Sequence, residues 1–170
     1  MSGSISQMQM MYNPEEDRIF FRVNSTDKKE FRFWITRRYA LLMLKVLKEH
    51  SESDPDVVIQ ATPEAKQALQ SFKQEKAIGQ ADFSEKFKEE ANELPLGPEV
   101  QVAFKMNYGI KDGNLQLGLQ PKEGQGISIV INQDLNVTLT QLILAAAKKA
   151  DWKFSEAEAN VVSEEHKIIN

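Results

Sequence analysis

The chain has 170 residues, with 41% hydrophobic and 27% charged positions and a formal net charge of −4. These are values of an ordinary globular domain with enough length to bury a core without staples. Cysteine is absent, which excludes disulfides, thiol catalysis and thiolate metal sites.

Charge is unevenly spread. All five arginines fall between Arg18 and Arg38, so the first third is locally basic on an acidic chain. Guanidinium groups bind carboxylates and phosphates bidentately. The N-terminal stretch MSGSISQMQMMYN has no basic run followed by an apolar run, and no segment approaches spanning length. The expectation is a cytoplasmic protein with no membrane segment.

In chain order, Met8, Met10 and Tyr12 alternate with Gln7, Gln9 and Met11, and Asn13–Asp17 is a turn. Ile19, Phe21 and Val23 mark the inward face of a second strand. Phe31, Phe33 and Ile35 mark that of a third. Thr36 is placed to cap a helix carrying Tyr39, Leu42, Met43, Val46 and Leu47 at helical spacing. His50 then sits at the helix C-terminus, where a cation suits the dipole. Val57–Ile59 reads as a short extended piece, and Thr62-Pro63-Glu64 opens a helix through Leu69 and Phe72. Ser84 is placed to start a second insertion helix with Phe87 and Ala91 inward. Glu85, Glu89, Glu90 and Glu93 would form its solvated face.

Val100, Val102, Phe104, Met106 and Tyr108 alternate strictly and read as one strand face. Leu115, Leu117 and Leu119 follow the Lys111-Asp112-Gly113 turn, then Ile127, Ile129 and Ile131. The last helix carries Leu139, Leu142, Ile143, Ala146 and Ala150, with Thr138 and Gln141 at capping-box spacing.

A shift of 96 residues overlays the two sets of three strands without a gap, with the second helix set back by about three residues. The fold expected is α+β. Two pseudo-repeated βββα units of antiparallel strands (4–52 and 99–152) flank a two-helix insertion (53–98), making one domain over 1–152. An acidic flexible tail over 153–170 is expected to follow.

Chemistry is sparse. Neither His50 nor His166 sits in a metal-spaced or triad-like motif, and there is no phosphate-cradling glycine loop. No catalytic residue, metal ligand or cofactor is assigned, and the expectation leans away from an enzyme. The asymmetric feature is the outward face of the first hairpin: Phe20, Arg22, Arg32 and Trp34, where the second unit has Gln116, Gly118, Ser128 and Val130. Three readings stay open. The insertion helices cover the face, with Leu69, Phe72, Phe83 and Phe87 on Phe20 and Trp34 and insertion acids on Arg22 and Arg32. Alternatively, it docks a protein partner or a second copy, since Trp and Arg favour interface hot spots. Or it binds nucleic acid or another polyanion, with Arg37 and Arg38 on phosphates. The acidic remainder disfavours the last, and a non-catalytic protein-interaction or self-association domain is the reading adopted.

The stretches Glu30–Arg38, EFRFWITRR, and Gln80–Ser84, QADFS, with Asp17–Asn24 and Leu94–Gly97, resemble a family of small uncharacterised bacterial proteins over about residues 15–135. The resemblance implies a bacterial cytoplasmic protein and carries no activity or catalytic residue. It pairs the Thr36–Arg38 joint with Gln80–Ser84. There Asp82 is a structural ion-pair candidate for one of the arginines, or a helix cap.

Overall fold

The computed structural model describes residues 3–80 and 86–154. Strands β1 (Ile5–Asn13), β2 (Arg18–Ser25) and β3 (Glu30–Ile35) form an antiparallel meander. The short β4 (Gln101–Val102) joins β3 in parallel, giving the order β1-β2-β3-β4. A second, antiparallel sheet has the order β5 (Lys105–Lys111), β6 (Asn114–Gln120), β7 (Ile127–Ile131). The described helices are α1 (Arg37–Glu52), α2 (Pro55–Val58), α3 (Pro63–Gln80) and α4 (Gln133–Lys149). The class is α+β. No helix among the described residues is long and apolar enough to cross a membrane.

The core follows from strand and helix periodicity. Ile19, Phe21, Val23, Phe31, Phe33 and Ile35 are buried in the first sheet, and Leu115, Leu117, Leu119, Ile127, Ile129 and Ile131 in the second. Each such side chain stabilises the fold by about 1.5–3 kcal/mol through removal of its surface from water. Tyr39, Leu42, Met43, Val46 and Leu47 of α1 complete the core with Leu139 and Ile143 of α4. Each helix reaches the other sheet. The Tyr39 hydroxyl donates to the Lys105 carbonyl of β5 (2.9 Å), and α4 packs on β1.

Both long helices start where a polar side chain meets free backbone N–H groups. Thr36 Oγ1 accepts from Tyr39 N (3.3 Å) and Asn132 Oδ1 from Leu135 N (2.8 Å). The cap of α4 is therefore Asn132, not Thr138, whose hydroxyl bonds back to the Asp134 carbonyl. Helix starts at Arg37 and Gln133 are 96 positions apart, so the three-residue setback expected from sequence does not occur. The hairpins do differ. Met10 faces Phe21 in the first sheet, whereas Met106 faces Leu119 in the second; a constant 96-residue shift would require Leu117. The first hairpin closes through residues 14–17 and the second through Asp112-Gly113 alone. Asp112 and Gly113 both have positive φ (53° and 80°), the requirement of a two-residue turn whose twist matches the strands. The second hairpin is shorter, and β5 slides two residues relative to β1.

Other expectations are corrected in the insertion. Val57–Ile59 is not extended; α2 turns there, capped by Asp54 Oδ1 on Asp56 N (3.1 Å). Residues 86–92 form no helix. They run as an irregular segment along the first sheet, where Glu89 and Glu90 stay solvent-exposed, as expected of a solvated face, while pairing with Arg22 and Lys28. Asp82, Phe83, Ser84, Glu85 and residues 155–170 lie outside the described residues. Chain just before that limit is anchored: Trp152 meets Tyr12 edge-on (6.1 Å), and Arg37 donates to the Lys153 carbonyl (2.5 Å).

The turn into β7 depends on close backbone approach. A Cβ on Gly126 would lie 2.2 Å from the Leu119 carbonyl oxygen and 2.8 Å from Gln120 Cα, neither of which is a flexible side-chain end. Gly126→Ala is expected to lower stability by about 1–3 kcal/mol, read as a shifted urea midpoint with an unchanged slope.

Candidate interaction face

On the outer side of the first sheet, direct cross-strand partners form one row: Met11 faces Phe20, Phe20 faces Trp34, and Trp34 faces Val102. The row is apolar from edge to edge. Met11 is 48% and Val102 36% exposed, and Phe104, beyond Val102, is 49% exposed. Phe20 and Trp34 are half-buried because they tilt against each other (5.5 Å between centroids, 55° between planes). The Arg18 guanidinium lies 5.9 Å from the Trp34 ring. Met11, Tyr12, Asn13, Pro14, Glu15, Phe20 and Trp34 line an open groove of about 480 Å³.

Sequence reading placed Val102 and Phe104 on one inward strand face with Met106. The structure turns them outward. Ala103 is buried, Phe104 and Lys105 are both exposed, and Met106 is buried again. The chain changes sheets here: Ala103 N donates to the Trp34 carbonyl, and Phe104 N to the Gln120 carbonyl. One residue is absorbed at the crossing, which flips every upstream side chain to the other face. The sole sequence sign was Ala103, the small residue between two large outward ones. Met11 is the outward alternate of β1 between Met10 and Tyr12.

The next row is Gln9, Arg22, Arg32, and here the face is charged and partly covered. Directly opposed arginines would repel across the ladder. Glu30, with its side chain 1% exposed, resolves this: its Oε2 accepts from Arg32 Nε (2.5 Å) and its Oε1 lies 3.9 Å from Arg22 Nη1. Arg22 also donates to Gln9 Oε1 and pairs with Glu89 (2.7 Å), while the Phe87 ring stacks 3.9 Å from its guanidinium. The irregular segment is fixed alongside. The Gln7 side-chain amide exchanges two 2.8 Å hydrogen bonds with the Lys88 backbone, and Glu30 N donates to the Glu93 carbonyl (3.0 Å). Among the described residues, two buried acceptors on paired residues, Asn24 Oδ1 and Glu30 Oε1, lack a hydrogen-bond donor.

The structure therefore brings Phe20, Arg22, Arg32 and Trp34 onto one face. Among the described residues, coverage comes from residues 86–93 and reaches the Arg22 end. Insertion helix α3 packs on α2 and α4, and its Phe72 is 62% exposed, so Leu69 and Phe72 do not roof Trp34 as one reading had it. Arg37 is drawn toward the C-terminal segment, 5.3 Å from the Phe154 ring, and Arg38 is exposed at the start of α1.

Ionisable groups elsewhere serve local ties. Lys73 Nζ bridges Asp54 (2.8 Å) and Asp56 (2.7 Å), and those hydrogen bonds raise its pKa. Burial, then a hydrogen bond to the Glu49 carboxylate (2.7 Å), pushes the Tyr108 hydroxyl up to about 12. His50 is no surface cation at a helix end. It is fully buried, with Nε2 on the Gly113 carbonyl (2.8 Å) and Nδ1 against Asn136 Nδ2 (2.8 Å).

Comparison of the chain with protein-family profiles, curated proteins and solved structures finds no match.

Proposed function

We propose that the chain is a binding domain that docks a protein partner on the outer face of the first sheet, with Trp34 and Phe20 as anchors. The supporting observation is the uninterrupted Met11–Phe20–Trp34–Val102 row, left open among the described residues while residues 86–93 cover the charged row beside it. Contiguous exposed apolar surface rimmed by polar groups marks interaction sites, and aromatic side chains supply most hot spots. Neutralised arginines favour a protein over a polyanion. Phosphate binding needs cations free to replace counterions, and Glu30 and Glu89 already engage Arg22 and Arg32. The two-unit βββα organisation and the bacterial, cytoplasmic setting belong to the same proposal.

A photo-crosslinking residue in place of Met11, with another in place of exposed Ile59 as the control, tests the site in lysate. The expected result is one discrete polypeptide adduct from position 11, insensitive to nuclease and absent from position 59. A nuclease-sensitive adduct, or equal labelling from both positions, overturns the reading.

A further inference from the structure

Sheet edges expose rows of backbone donors and acceptors, and proteins blunt them with charge, proline, bulges, short strands or covering segments. Three of the four strand edges here carry such a device. A register shift between Ile5 and Gln7 disrupts the ladder of β1, and the Gln7 side chain ties that edge to the Lys88 backbone. β4 is only two residues long. β5 starts and ends with lysine, and its Lys105 carbonyl is occupied by the Tyr39 hydroxyl.

β7 has none of these. Its sequence, Ile-Ser-Ile-Val-Ile, has no charge and no proline and is β-branched at four of five positions. It ends the order β5-β6-β7, and among the described residues no backbone hydrogen bond beyond its β6 ladder involves it. Val130 is 58% exposed. The neighbouring outer surface is uncharged too: Gln116 faces Val130, and Gly118 faces both Ser128 and Asn107.

We propose that the β7 edge is a self-association surface, where a second copy of this chain pairs its own β7 antiparallel about a two-fold axis at Ile129. The two three-stranded sheets then become one of six strands. Backbone complementarity requires an extended strand, and the uncharged edge sets no like charges against each other when the strand is a copy of itself. In this register Ser128 of one copy faces Val130 of the other, both on the solvent side. A five-residue pairing is smaller than a standard interface of about 1,600 Å². The dimer is therefore weak and dissociates on dilution. This surface is separate from the Trp34 face, and its success or failure does not bear on that reading.

Charge swaps at the facing pair test it by sedimentation of the full chain over a concentration series, with circular dichroism to confirm folding. Wild type is expected to move from 19.3 kDa toward twice that mass as concentration rises. Ser128→Lys combined with Val130→Lys opposes like charges across the axis and should weaken the dimer by about tenfold or more. Ser128→Lys with Val130→Glu opposes unlike charges and should restore it. Hydrogen exchange at Ile127–Ile131 should slow with concentration in wild type and in the restored pair only. A wild type monomeric at every concentration, or a double-lysine variant that dimerises as wild type does, overturns the proposal.

Discussion

Glu30→Ala is expected to lower stability by about 3 kcal/mol or more, among the largest losses from any single polar substitution here. The carboxylate is buried between two guanidiniums that the β2–β3 register places directly opposite each other. Removing it leaves two cations facing across the ladder, one of them with its side chain only 12% exposed. Glu89, 70% exposed, compensates Arg22 weakly because water screens it. Glu30→Gln separates charge from shape. It keeps an acceptor for Arg32 and replaces the unsatisfied Oε1 with a donor across the ladder from the unsatisfied Asn24 Oδ1. Its cost should be nearer 1 kcal/mol. Urea unfolding of both variants checks the ordering, and equal losses would contradict it.

His50→Ala is expected to cost about 2–4 kcal/mol and to remove an acid-side dependence of stability. The imidazole joins three elements: the end of α1, the Gly113 turn between β5 and β6, and Asn136 on α4. Asn136 Nδ2 also donates to the Leu47 carbonyl (2.7 Å), so the proton it offers His50 requires Nδ1 to be an acceptor. The ring is then neutral, with its proton on Nε2 directed at Gly113, while Gln133 Nε2, 3.1 Å from the same ring nitrogen, directs its own protons at the His50 and Gly113 carbonyls. Charging it would set a donor against a donor. Burial lowers the His50 pKa below 6.5, partly offset by the Gly113 hydrogen bond and the Asp54 charge. The unfolded chain binds the proton more readily, so stability falls as pH drops through 6.5 toward the depressed folded value, and is flat above. Unfolding free energy measured from pH 7.5 downward should show that slope at pH values below about 6.5 in wild type and lose it in the variant.

The inward faces and the Thr36 cap were legible because period and capping chemistry are local. What was lost depended on long-range pairing. Strict alternation from Val100 to Tyr108 implied one strand in one sheet, yet the chain leaves β3 for β6 at Ala103–Phe104, and alternation cannot show a change of partner. The gapless overlay failed at β5 for a related reason, since hairpin loop length sets register and Asp112-Gly113 closes a tighter turn. His50 read as a dipole-favoured cation because its true partners are 63 and 86 positions away. Helical spacing of acids from Glu85 to Glu93 suggested a solvated helix. Arg22 and Lys28 instead draw Glu89 and Glu90 onto the sheet. Phe20, Arg22, Arg32 and Trp34 were found as a patch by their contrast with the second unit. The division of that patch into a covered, neutralised half and an open apolar half needed coordinates.

Once the polypeptide crosslinked at position 11 is purified, its affinity for wild type and for Trp34→Ala, at low and high salt, tests the docking face most directly. Trp34 is half-buried on a solvent-facing row, so the variant keeps the core intact, and an unchanged far-ultraviolet spectrum verifies this. The expected result is a loss of about 2 kcal/mol or more, roughly thirtyfold in affinity, with wild-type binding little altered by salt. Equal affinity of the two proteins, or wild-type binding that collapses as salt rises, contradicts an apolar protein interface at Trp34.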